Sequence, residues 1–189
     1  DAMVVGYEAL LRWDHPVQGN MPPSQFIPIA EDCGLIEQIG EWVMRTACTE
    51  AAGWPQAARV AVNVSSIQFA KPHLPALVAQ ALAQSGLAPS RLELEITESV
   101  FLNQDQESHR QFAALKSLGI RLALDDFGTG YSSLGYLRHA PFDKIKIDQS
   151  FVRGAIGTDS RNAAIIRAIV TMADTLGMET TAEGVEIQD

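Results

Sequence analysis

Short apolar runs alternate with helical patterns along the whole chain. Residues 4–13 predict a strand. Residues 24–33 and 36–52 predict helices, the second with Ile36, Ile39, Trp42 and Val43 on one face. Residues 59–65 predict a second strand, and 74–85 a helix that ends at Gly86. Residues 91–97 alternate strictly and predict a third strand. A helix over 104–118, a strand over 120–126, a short helix over 132–138 and a strand over 144–148 follow. The last elements are a helix over 161–176, stopped by Gly177, and a sixth strand over 179–183. Strands that alternate with helices imply parallel βα units. Six units without a dinucleotide-binding glycine fingerprint predict an α/β fold, a (β/α)8 TIM-like barrel, with six of its eight strands inside the 189 residues. The chain starts inside a strand and stops just after one. It is therefore expected to be one domain, 1–189, truncated at both ends, whose open strand edges would associate or aggregate.

Composition narrows the function classes. A hydrophobic content of 47% suffices for one sizeable core. No apolar run approaches the ~18 residues a membrane span needs. No signal peptide opens the chain, so a cytoplasmic domain without membrane contact is expected. The net charge of -9 argues against holding polymeric nucleic acid by charge alone. An acidic protein still holds a phosphodiester when metal ions stand between its carboxylates and the phosphate, although the same charge also serves plain solubility. Cys33 and Cys48 lie in apolar helical patterns without metal-ligand spacing and are expected to be buried free thiols.

The chemistry gathers at the C-terminal ends of the predicted strands. Asn63, Glu95 and Thr97, Asp125 and Asp126, Lys146 and Asp148, and Glu183 stand there in turn, and Glu8 lies within the first strand. That rim carries the active site in barrels of this type. Clustered carboxylates repel one another unless cations bind between them. Glu8, Asn63, Glu95 and Asp125, with Asp126 as a further candidate, form an all-oxygen donor set. Such a set suits Mg²⁺ or Mn²⁺ better than zinc. Two such ions about 3.5–4 Å apart would clamp a phosphodiester and activate water. Each acid taken singly has an ordinary alternative, an ion pair or a helix cap. Glu98 and Asp148 are open to capping in the same way. Arg12 can fork onto a phosphate or pair with a rim acid. The glycine-rich stretch 128–133 is a phosphate cradle, a mobile lid or a tight turn. Asp126-Phe127-Gly128 lacks the companion motifs of a kinase. His15, His73, His109 and His139 are scattered and carry no role.

These residues stand in an order that resembles the EAL domain family. The motifs are Glu8-Ala9-Leu10-Leu11-Arg12-Trp13, Asn63-Val64-Ser65, Glu95-Ile96-Thr97-Glu98-Ser99, Asp125-Asp126-Phe127-Gly128-Thr129-Gly130, Lys144-Ile145-Lys146-Ile147-Asp148 and Glu183-Gly184-Val185-Glu186. The resemblance implies a modified (β/α)8 barrel whose opening strand runs antiparallel. It implies hydrolysis of the cyclic dinucleotide c-di-GMP to linear pGpG with Mg²⁺ or Mn²⁺, or a receptor that binds c-di-GMP without cleaving it. By motif, Glu8, Asn63, Glu95 and Asp125 match the metal ligands, and Asp126 lies at the second metal. Lys146 matches the lysine that holds the attacking water, and Glu183 a general base or metal-site partner. Arg12 and Leu10 match substrate-binding positions, and Glu98 the glutamate that fixes the loop after the acid pair. A homodimer, and attachment to sensor or GGDEF-type cyclase domains in a bacterial signalling protein, are also implied. The family's opening strand and its final βα unit with a site glutamine have no counterpart here.

Overall fold

The computed structural model describes residues 3–55, 57–103, 106–128, 137, 141–153, 155 and 160–185. The expected helix over 132–138 lies outside them except for the buried Leu137. So do the 128–133 stretch beyond Gly128, His139 and Glu186. The chain divides into two compact units, Asp1–Leu94 with Asp105–Arg121, and Glu95–Gln104 with Leu122–Asp189. A six-stranded sheet takes its strands in chain order: Gly6–Ala9, Arg59–Val64, Leu92–Thr97, Arg121–Phe127, Lys144–Ile147 and Glu179–Ala182.

In the first unit, β1 (Gly6–Ala9) pairs parallel with β4 (Arg59–Val64), Glu8 opposite Ala61 and Ala9 opposite Val62. The run predicted over 4–13 is interrupted. After β1 the chain turns into a small antiparallel hairpin, β2 (Trp13–His15) and β3 (Gly19–Met21). The His15 ring holds its turn, with Nδ1 accepting from the N–H groups of Val17 and Gln18 at 3.2 and 3.1 Å. Two helices follow, α1 (Pro23–Asp32) and α2 (Ile36–Ala52). The buried stripe of α2 is Ile36, Met44, Ala47, Cys48 and Ala51, spaced by three, four and eight residues. Trp42, expected on the apolar face, is instead 56% exposed. Cys48 is buried as expected, and burial pushes its thiol up to about 11. Cys33 is exposed, because α1 ends one residue before it and leaves it at the cap.

After β4, the short α3 (Ser66–Phe69) opens on a capping box. Ser65 Oγ accepts from Gln68 N at 3.3 Å, and Gln68 Oε1 accepts from Ser65 N at 3.2 Å. Helices α4 (Leu74–Ser85) and α5 (Gln106–Ser117) complete this unit. Gln111 of α5 is buried, and its Nε2 donates to the Phe69 and Lys71 carbonyls, both at 2.7 Å.

The strand β5 (Leu92–Thr97) is buried on both faces through Ile96, as strands of parallel sheets are. Glu93, on the same side of the pleat as Glu95, is buried and ion-paired with Arg121 at 3.1 Å. In the second unit, β6 (Arg121–Phe127), β7 (Lys144–Ile147) and β8 (Glu179–Ala182) pair in parallel. Asp143 pins the start of β6, its carboxylate accepting from Leu122 N and its own N–H donating to Leu122 O, both at 2.8 Å. The short α6 (Gln149–Arg153) and the long α7 (Arg161–Thr175) connect β7 to β8. Ile169 and Ala173 form the buried part of α7. No described helix is long and apolar enough to cross a membrane.

Candidate active site

The end of β6 is where the backbone departs from regularity. Leu124 stands opposite Ile145, but Phe127 stands opposite Ile147. Three steps on β6 therefore match two on β7, which is a β-bulge at Asp125-Asp126. Regular pleating would send neighbouring side chains to opposite faces. Asp126 instead adopts φ 52, a left-handed conformation that aspartate tolerates better than most residues. The outcome is that carboxylate oxygens of Asp125, Asp126 and Glu183 lie within 4.8 Å of one another. Glu183 is brought there by β8, which ends one residue earlier, and by its own N–H, which donates to Ile147 O at 3.0 Å.

Lys146 stands in the middle of these acids. Its Nζ is 2.7 Å from Glu95 Oε2, 2.8 Å from Glu183 Oε1 and 3.0 Å from Asp125 Oδ1. Burial pushes the lysine toward neutrality. The charges of Glu95 and Asp125 and its bonds to Glu183 and Glu95 outweigh that, so it is held well above the ordinary lysine range as an ammonium. Glu183 is pushed up, first by burial and then by the charges of Asp125 and Asp126, with Lys146 pulling the other way.

Glu98 holds the far side of the bulge. It opens a 3-10 turn, Glu98–Asn103, and its Oε1 accepts from Gly128 N at 2.7 Å. The glutamate thus both starts a helical turn and ties down the residue that follows the acid pair. Asp148 proves to be a cap: its Oδ1 accepts from Ser150 N at 2.9 Å, and bonding to Ser150 holds its carboxyl below the usual range.

In the first unit, Asn63 Nδ2 donates to Glu8 Oε1 at 2.7 Å, and both residues are exposed. Leu10 follows β1 and is 53% exposed. The Arg12 guanidinium donates to the neighbouring Leu11 carbonyl at 2.9 Å. Within each unit the predicted residues therefore meet: Glu8 with Asn63 in one, and Glu95, Asp125, Asp126, Lys146 and Glu183 in the other, where Glu98 bonds the Gly128 amide behind the acid pair. Sequence placed Lys146 among acids but did not show one ammonium serving three of them. The bulge that gathers two consecutive aspartates left no signal beyond the doubled acid itself.

The donor chemistry fits a hard divalent cation. Asp125, Asp126 and Glu183 offer converging carboxylate oxygens with no sulfur or imidazole among them. Three carboxylates about one ammonium also leave negative charge over for a further cation.

The family model of the EAL domain matches residues 1–189. The chain belongs to the EAL domain family. It is 51% identical, over its whole length, to a signaling protein of Caulobacter vibrioides, of which it spans 23%. It is 44% identical over 98% of its length to the bifunctional diguanylate cyclase/cyclic di-GMP phosphodiesterase MucR of Pseudomonas aeruginosa, of which it spans 27%. The chain thus spans about a quarter of these relatives. The solved PaMucR phosphodiesterase–c-di-GMP complex matches at a TM-score of 0.90 and 44% identity, covering 97% of this chain and 76% of that one. The c-di-GMP-bound FimX EAL domain from Pseudomonas aeruginosa matches at a TM-score of 0.86 and 26% identity, over 96% and 74% of the two chains. The EAL fold of this chain is the expected TIM-like (β/α)8 barrel fold, of which the described residues carry six strands.

Proposed function

We propose that this EAL domain is a metal-dependent phosphodiesterase that hydrolyses c-di-GMP to linear pGpG. The observation that carries the reading is the buried Lys146 ammonium bonded to Glu95, Asp125 and Glu183, with Asp126 beside them. Similarity to a phosphodiesterase solved with c-di-GMP supports the choice of substrate.

In this reading the donors to Mg²⁺ or Mn²⁺ would be Glu8 and Asn63 in the first unit and Glu95, Asp125 and Asp126 in the second. Bound there, such ions would polarise a phosphoryl oxygen and make water a nucleophile near neutral pH. The chain's own groups do the rest. Lys146, kept charged by its acids, turns one of its three N–H donors from a carboxylate to the attacking water and orients it toward phosphorus. Glu183, pushed up toward neutrality, is suited to take the proton that water gives up. Arg12 supplies a fork for a phosphate and Leu10 an exposed apolar contact next to it. Glu98 holds the Gly128 amide and so keeps the bulge in place. The physiological assembly is a cytoplasmic homodimer joined to sensor or GGDEF-type domains, in line with the greater length of the relatives.

The test is incubation with c-di-GMP and Mg²⁺ and chromatographic separation of the products. Linear pGpG is expected, and none from Asp125→Asn, which removes one negative donor while keeping the shape of the side chain. Binding of c-di-GMP with no pGpG from the parent chain would make the domain a receptor and overturn the proposal. Wild-type turnover by Asp125→Asn would remove Asp125 from the metal site.

A further inference from the structure

Two glycines stand within two residues of acids of the cluster, and one short helix abuts both. Gly128 comes two residues after Asp126, and Gly184 follows Glu183. Their φ values are +96 and +63, in the left-handed region. A Cβ on Gly128 would lie 2.8 Å from Phe151 Cε2, and one on Gly184 would lie 2.8 Å from Gln149 Cβ. Both neighbours belong to α6. There is thus no room for a methyl group where α6 meets either turn.

The helix α6 has no account as core filling. It is five residues long and contains no buried residue. A helix that short does not stand on its own in water. Asp148 caps its start, and Asn162 Nδ2 of α7 donates to Ser150 O at 3.2 Å. The Gly128 N–H is held by Glu98 while its α-carbon faces the Phe151 ring. The acid pair and Glu183 sit on different strands, and α6 is an element against which both of their following turns close.

We propose that Phe151 and Gln149 are positioning residues, which set Asp125-Asp126 and Glu183 relative to each other through Gly128 and Gly184. The consequence for metal binding rests on the phosphodiesterase reading, whereas the geometric coupling does not.

The experiment compares the parent chain with Phe151→Ala, Phe151→Leu and Gly184→Ala. Amide hydrogen exchange is followed without metal, and Mn²⁺ binding is measured by calorimetry. In Phe151→Ala, exchange at Gly128 should speed up about tenfold or more while the amides of Ile169 and Ala173 in α7 keep their rates. Mn²⁺ affinity should fall by about 10–100-fold, the usual cost of losing support behind metal ligands. Phe151→Leu should restore most of both. Gly184→Ala should also speed exchange at Gly128, because its methyl displaces α6. An unchanged Gly128 rate, or a rise shared equally by α7, would reduce Phe151 to ordinary packing and overturn the inference. Unchanged Gly128 exchange in Gly184→Ala would break the coupling through α6. If the parent chain binds no Mn²⁺, the metal reading fails and the Gly128 rates alone decide the inference.

Discussion

The Glu8–Asn63 pair and the Lys146 cluster are both made of polar side chains at strand ends, yet their charges are handled in opposite ways. Glu8 accepts a 2.7 Å bond from a neutral amide, and both residues are open to water. Water can replace either partner there, so the pair contributes little to stability. Glu95 and Asp125 are 3% and 8% exposed, and Lys146 is 5% exposed. Buried charges have no such substitute and depend on each other. The difference separates two demands on one kind of residue. The exposed pair can exchange its partner for a ligand at small cost. The buried cluster must keep its charges matched at all times, by Lys146 or by a bound cation.

The largest effect should come from removing the Lys146 ammonium from the cluster. Lys146→Ala leaves Glu95, Asp125 and Glu183 facing one another without an ammonium. Breaking a buried pair by deleting one partner costs about 3–5 kcal/mol, which urea denaturation would register. Single-turnover kinetics should also show the chemical step falling more than c-di-GMP affinity, since the lysine is assigned to the water and not to the phosphate. A large loss of affinity with unchanged chemistry would reassign it to phosphate binding.

A smaller effect is expected at the edge of the same region. Glu98→Ala removes the acceptor of the Gly128 N–H. Hydrogen bonds to charged groups contribute about 1.5–3 kcal/mol, and this one is partly buried. The freed bulge should let Asp126 leave its left-handed conformation, so turnover falls although Glu98 touches no substrate. Hydrogen exchange at Gly128 should increase. Unchanged Gly128 exchange alongside a less stable 98–103 turn would leave Glu98 as a helix-start residue only.

How far these two regions could be read from sequence follows the same division. Strand ends were legible, because period-two alternation over 91–97 and the acids at 95 and 125 need only local pattern. The order of the strands followed from the βα alternation. What escaped was either too short to carry a period or set by neighbours distant in the chain. The β2–β3 hairpin is too short for a periodic signal, and residues 4–13 read as one run. Trp42 is apolar but faces outward, because the buried stripe of α2 runs through Met44 and Cys48 instead. Alternation over 91–97 does not reveal that the burial of Glu93 is met by Arg121, 28 residues later. The bulge at Asp125-Asp126 is a matter of register between two strands, which no single strand's sequence records.

The smallest change in stability, and the sharpest test of the contrast, is expected at Asn63. In Asn63→Ala the amide that bonds Glu8 is lost, but both positions are exposed and water takes its place. Solvent exposure lowers the net contribution of this carboxylate bond to about 0–1 kcal/mol, below that of the partly buried Glu98 bond. Urea midpoints should therefore barely move. Turnover should nonetheless fall steeply, because the amide oxygen is assigned as a metal donor and alanine has none to offer. Raising Mg²⁺ should recover part of the rate, since a weakened site fills at higher ion concentration. Asn63→Asp should behave differently from the alanine variant. It keeps an oxygen at the position and adds charge beside Glu8, which favours a cation there and disfavours the cation-free state. Stability without metal should drop slightly, and the gain in stability on adding Mg²⁺ should exceed that of the parent chain. A large loss of stability in Asn63→Ala would mean that the exposed pair is structural, and the contrast with the Lys146 cluster would fail. Unaltered turnover in Asn63→Ala, with Asp125→Asn inactive, would confine the metal chemistry to the acids of the second unit.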